Sequence, residues 1–185
     1  MELVQHYMET YLDVGEESFL EKYNHPFLLF PEKHGSSNFS TYHTRMADRG
    51  SGSRIAGTGK EIKQFRVLPP KLPAEGKFPS KYLVGRSQER ELFIDHSTVS
   101  KRHAFLAYDT EKEAFKLGDA GSTNGTFLNG QSVEAGDPVY VRDGNVVSFG
   151  DCDYMFFTPT GFIQLLKRLK KEEDADEASG TSDDA

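Results

Sequence analysis

Residues 122–130 read Ser-Thr-Asn-Gly-Thr-Phe-Leu-Asn-Gly. Three short hydrogen-bonding side chains, Ser122, Thr123 and Asn124, stand before a glycine. An apolar pair follows, and the string closes on Asn129-Gly130. An Asn-Gly pair beside a short apolar run is a hairpin signal, because both residues accept the positive φ that a tight turn demands. Working outward, the chain keeps a period of two from Ile62 to about Thr158. Apolar-rich segments recur as IKQFRV, KYLVG, ELFID, HAFLAY, AFKL, GTFLN, PVYV, NVVSF and YMFF. Further turn signals stand at Ala135-Gly136-Asp137 and Asp143-Gly144-Asn145, and we expect hairpins there too. Eight or nine short strands without a helix-length pattern between them predict an all-β sandwich or barrel.

Two other strings in this region share the character of the first. Gly85-Arg86-Ser87 ends a predicted strand, and Ser100-Lys101-Arg102-His103 sets a serine and a histidine on either side of two bases. Arg86 offers a planar fork of N–H groups, Lys101 and Arg102 offer charge, and Ser100, Thr123 and Asn124 offer short donors. Such a set suits a phosphate dianion, which presents three strong acceptor oxygens and about −1.5 to −2 charges near neutral pH. Glycines 85, 121, 125 and 130 permit the sharp turns that would bring the loops together.

Gly-Arg, Ser-x-x-His and Ser-Thr-Asn-Gly-Thr-Phe, in this order and with a closing Gly136-Asp137 and Val147-Ser148-Phe149-Gly150, resemble the forkhead-associated (FHA) domain. The resemblance covers residues 62–158, about half the chain. It implies an eleven-stranded β-sandwich without catalysis or cofactor, whose loops at one end bind a phosphothreonine in an extended peptide. Carried over residue by residue, it implies that Arg86 and Ser100 contact the phosphate, with Lys101 beside them. Thr123 would hold the phosphate and shape the pocket for the threonine γ-methyl, and Asn124 would bond the peptide backbone. His103 would brace the loops, and Gly85, Gly125 and Asn129 would serve the architecture. Arg102 has no assigned direction. Thr98 stands where some relatives place a base that reads an acid three residues after the phosphothreonine, so that preference is not expected here.

Around the sandwich we expect four further pieces. Residues 1–30 form an N-terminal helical extension: Leu3, Val4, Tyr7, Met8, Tyr11 and Leu12 share one helical face. The pattern breaks at Asp13-Val14-Gly15, and a second short helix carries Phe19, Leu20 and Tyr23 until Pro26. Phe27–Phe30 is an apolar strip bounded by prolines. Residues 31–61 are a Gly/Ser-rich linker. Its Gly57-Thr58-Gly59-Lys60 is no phosphate loop, since Arg54 replaces the first glycine and Glu61 the hydroxyl residue. Residues 159–171 form a C-terminal amphipathic helix with Phe162, Leu165, Leu166 and Leu169 on one stripe and four bases in its last turns. Residues 172–185 are expected to be a disordered acidic tail.

The charge of −7 at neutral pH lies wholly in that tail, which holds seven acids and no base. The remainder carries 22 bases and 22 acids, so no broad basic field for nucleic acid exists. No segment is apolar enough to span a bilayer, and no basic region opens the chain. A single cysteine, Cys152, excludes an internal disulfide framework. The expected location is cytoplasmic, without membrane, metal or nucleic acid. Ser100 and His103 lack an acid at the spacing of an orienting partner, so hydrolase chemistry is not expected. The expected function is an adaptor for a threonine-phosphorylated protein, a Ser/Thr kinase or its substrate. The alternative is a phosphate-independent scaffold working through helices 2–23 and 160–171. Thr181, three residues before Asp184, is a threonine that could be phosphorylated and reach the pocket.

Overall fold

The computed structural model describes residues 1–31, 59–72 and 78–179. Residues 32–58, 73–77 and 180–185 lie outside it, and with them most of the expected linker, the end of the acidic tail and Thr181.

Among the described residues eleven strands form two sheets, as expected of an FHA-type sandwich. The six-stranded sheet runs in the order β2 (Arg66–Leu68), β1 (Phe27–Phe30), β11 (Cys152–Phe157), β10 (Val146–Phe149), β7 (Thr126–Leu128) and β8 (Gln131–Val133). The five-stranded sheet runs β4 (Leu92–Phe93), β3 (Lys81–Gly85), β5 (Ala104–Asp109), β6 (Ala114–Asp119) and β9 (Val139–Val141). Pairing is antiparallel except between β3 and β4. Tyr82, Val84, Leu106 and Leu117 of the smaller sheet pack against Leu28, Val147, Phe149 and Phe156 of the larger, forming the inner core.

The outer face of the six-stranded sheet is also buried. α1 (Val4–Lys22) and α3 (Pro159–Ser179) lie over it, with the short α2 (Gly59–Lys63) beside them. Tyr7, Met8 and Phe19 of α1 and Phe162, Ile163, Leu166 and Leu169 of α3 meet Phe27, Leu29, Val67, Met155 and Phe157 of the sheet in a second core. Two covered faces explain the composition of the central strands. In β1, Leu28 and Phe30 enter the inner core while Phe27 and Leu29 enter the outer one. A strand buried on both sides is apolar at every position rather than at alternate ones.

Four expectations need adjustment. Phe27–Phe30 is a strand inside the sandwich, between β2 and β11, so the sandwich begins before residue 62. The segment Ile62–Val67 is not one strand: α2 holds Ile62, and β2 starts at Arg66. The last helix continues past Lys171 to Ser179, because Glu172, Glu173 and Asp174 pair with Arg168, Lys63 and Lys170 instead of repelling one another in solvent. Finally, of the three turn signals expected to make hairpins, only Asn129 (φ 51°) and Gly130 (φ 80°) do so, from β7 to β8. The turns around Gly136 and Gly144 carry the chain from one sheet to the other. The break expected at Gly15 is present, at φ 78° within α1. Among the described residues no helix is long and apolar enough to cross a membrane.

Candidate functional site

Three loops meet where β3 ends, β5 begins and β7 begins. Their backbones are tied directly. The Arg86 amide donates to the Ser100 carbonyl at 2.9 Å, and the His103 amide donates to the Val84 carbonyl at 2.9 Å. Gly85 is needed for this approach, since a Cβ there would collide with the Lys101 carbonyl oxygen.

Side chains complete the junction. Arg86 is exposed, and its Nε donates to the Val99 carbonyl at 3.2 Å, which leaves its terminal N–H groups without a protein partner among the described residues. The Ser100 hydroxyl accepts the Thr123 amide at 3.1 Å and lies 3.4 Å from the Thr123 hydroxyl. Asn124 Nδ2 donates to the Thr98 carbonyl at 2.7 Å. The structure therefore brings Arg86, Ser100, Thr123 and Asn124 onto one surface. Lys101 follows Ser100 with its side chain exposed.

His103 lies beneath this surface, fully buried. Its Nδ1 accepts the Ser100 amide at 3.0 Å, so the ring proton is on Nε2, which donates to the Gly125 carbonyl at 3.0 Å. Burial holds the imidazole below its ordinary pKa, against the opposing pull of the Gly125 carbonyl and the Asp119 charge. Gly125 has φ 82°, and its carbonyl also takes the Gly150 amide at 3.0 Å. Asn129 stands further off. It exchanges two 2.8 Å hydrogen bonds with the Val146 backbone and so pins the β7–β8 hairpin to β10.

One contributor escaped the sequence reading. Asp119 is buried at the end of β6 and accepts four hydrogen bonds: the Gly121 and Ser122 amides at 2.7 and 2.9 Å, and the Ser122 and Thr126 hydroxyls at 2.6 and 2.7 Å. Burial pushes its carboxyl up, but these bonds outweigh burial and hold it below the usual carboxylate value. It shapes the loop that carries Thr123 and Asn124. The pattern Asp119-Ala120-Gly121-Ser122, an acid ahead of a glycine and a hydroxyl, was its signal. Thr98 is turned away from the surface: its hydroxyl accepts the Asp151 amide at 3.1 Å. Beside the site, Arg90 Nε donates to the Lys101 carbonyl at 3.2 Å.

Comparison with known proteins falls on the same segment. Residues 82–150 match the family model of the FHA domain. The glycogen accumulation regulator GarA of Mycobacterium tuberculosis is 35% identical over 74 residues, which are 40% of this chain and 43% of GarA. Kanadaptin of Homo sapiens is 34% identical over 83 residues, covering 40% of this chain and 11% of its own. Among solved structures, the FHA-2 domain of an ABC transporter from Mycobacterium tuberculosis is 32% identical, with a TM-score of 0.39, covering 48% of this chain and 76% of that one. The chain spans less than half the length of the GarA regulators it matches. The match runs from β3 through the last turn of the loop cluster, and residues 82–150 of this chain are an FHA domain.

Proposed function

We propose that the three loops bind a phosphothreonine in an extended segment of a partner protein, and that the chain acts as a non-catalytic adaptor for threonine phosphorylation. The observation that carries this is the convergence of Arg86, Ser100 and Thr123 around unclaimed donors. The terminal N–H groups of Arg86, the Ser100 hydroxyl and the Thr123 hydroxyl can each turn to a phosphate oxygen, with Lys101 adding charge. Asn124 spends one N–H on Thr98 and keeps its carbonyl oxygen and second N–H for the peptide backbone. His103, Gly85 and Gly125 hold these groups in place before ligand arrives, which lowers the ordering cost of binding. Hydrogen bonds to a charged group contribute about 1.5–3 kcal/mol each, so several of them suffice for a reversible contact.

The alternative, a scaffold working through its helices, is less well supported. Most of each apolar stripe on α1 and α3 is already buried on the six-stranded sheet, with Leu12 exposed at the end of that of α1.

Calorimetric titration with matched threonine and phosphothreonine peptides tests the proposal. Binding is expected only with the phosphorylated peptide, and Arg86→Ala should weaken it by about 2–5 kcal/mol. Equal affinity for the two peptides, or full affinity in Arg86→Ala, would refute it.

A further inference from the structure

The cations of this chain are not evenly matched. Lys63, Lys116, Lys167, Arg168 and Lys170 each lie within 4 Å of an acid. Among the described residues Arg86, Arg90, Lys101 and Arg102 also lack such a partner, as do Lys22, Lys71, Lys81, Lys112, Arg142 and Lys171 elsewhere, but only the first four gather on one cluster of loops. Two of them are also held in the same manner. Arg86 Nε donates to the Val99 carbonyl and Arg90 Nε to the Lys101 carbonyl, each at 3.2 Å. Those carbonyls are two residues apart, with Ser100 between them.

Anchoring through Nε fixes each guanidinium while leaving its terminal N–H groups available, the arrangement that favours forked recognition of an anion. Arg90 is further fixed by its own turn, in which its amide donates to the Ser87 carbonyl at 3.0 Å. Neither neighbouring acid, Glu89 or Glu91, forms an ion pair with it, and Glu91 Oε2 instead accepts the Leu83 amide at 2.9 Å. Two residues of chain separate the anchors by at most about 7 Å. That is also the spacing of alternate side chains on one face of an extended peptide, at roughly 3.3 Å per residue. On the other side of Ser100, Asn124 is fastened to the Thr98 carbonyl.

We propose that Arg90 forms a second anion position beside the phosphate pocket, so that the favoured peptide carries another negative side chain about two residues from its phosphothreonine, on the flank away from Asn124. This rests on the function proposed above. A carboxylate and a second phosphate share the required chemistry.

The test uses the full chain, Arg90→Gln, and a set of phosphothreonine peptides: one with neutral flanks, two with glutamate two residues before or after, and two with phosphoserine there. In the parent one acidic flank should tighten binding about five- to tenfold. In Arg90→Gln that gain should disappear, while the neutral-flank peptide binds both proteins within about twofold and so reports that the variant is folded. A gain from glutamate identifies an acidic sequence as the natural source, and a gain from phosphoserine alone identifies a doubly phosphorylated one. The proposal is overturned if the gain survives in Arg90→Gln, or if the variant weakens all peptides alike. The latter would place Arg90 on the phosphothreonine itself or on loop shape. A parent that binds the neutral-flank peptide but gains from no flank overturns this inference alone. A parent that binds no phosphothreonine peptide overturns the function as well.

Discussion

Ser100 and His103 are joined by a hydrogen bond that dictates the state of the imidazole: the Ser100 amide donates to Nδ1, and the ring must be neutral to receive it. Through Nε2 the same ring reaches Gly125, so one side chain spans two of the three site loops.

Replacing His103 by alanine would leave the Gly125 carbonyl and the Ser100 amide without their partner. We expect a stability loss of about 1–3 kcal/mol in urea titration. Phosphothreonine-peptide affinity should fall with it, although His103 touches no ligand. Unchanged affinity in the folded variant would separate the brace from the site.

Stability should depend on pH through two buried imidazoles. Burial lowers the His25 pKa from 6.5 to about 4, with a partial return from its bond to the Pro26 carbonyl, and it lowers that of His103. Both are depressed in the folded state, so below 6.5 the unfolded chain binds more protons and stability declines. For His25 the decline should reach about 3 kcal/mol by pH 4. Urea midpoints should be level between pH 7 and 8 and drop from pH 6.5 downward. His25→Phe, which keeps a ring beside Phe27, should flatten part of that slope. A midpoint that does not move between pH 7 and 4.5 would contradict both placements.

Gly85→Ala probes the seam between β3 and the loop before β5. Because the new Cβ would collide with the Lys101 carbonyl, Ser100 and Lys101 must shift. We expect a cost of about 1–3 kcal/mol and a loss of peptide binding larger than the substitution's distance from any ligand atom would suggest. Denaturation and calorimetry on the same sample would show both.

Phe162 of α3 stacks on Phe27 of β1, with ring centroids 4.0 Å apart, and is fully buried. Phe162→Ala should destabilise the whole sandwich by about 3–5 kcal/mol. A single cooperative transition shifted to lower temperature is the expected record. A separate early transition would mean that the helices melt apart from the sheets.

The sandwich and most of its strands were legible in the sequence because the five-stranded sheet has one solvated face, and there alternation is clean: Tyr82, Val84, Leu106 and Leu117 point inward, with Lys81 and Lys116 on more accessible positions. The helix-covered sheet hid its signal. Phe27-Leu28-Leu29-Phe30 carries no alternation to read, and its pairing partners lie at residues 66–68 and 155–157. The acids after Lys171 looked repulsive as a string, yet their bases are one helical turn back or on α2. In the loops, donor-rich strings and glycines were readable. Arg90 was not, because its anchor is a carbonyl that only the folded chain brings near, and Asp119 left only its short Asp-Ala-Gly-Ser pattern.

The entry of β1 into the middle of its sheet bears on how this molecule can be divided. Excising residues 82–150 alone would discard β1, β2 and β11 and strip β10 of its neighbour, baring a row of unsatisfied amides and carbonyls of the kind that recruits other chains. The sandwich is thus inseparable from its amino-terminal segment: what reads as an appendage is an internal stave of the structure that presents the three clustered loops.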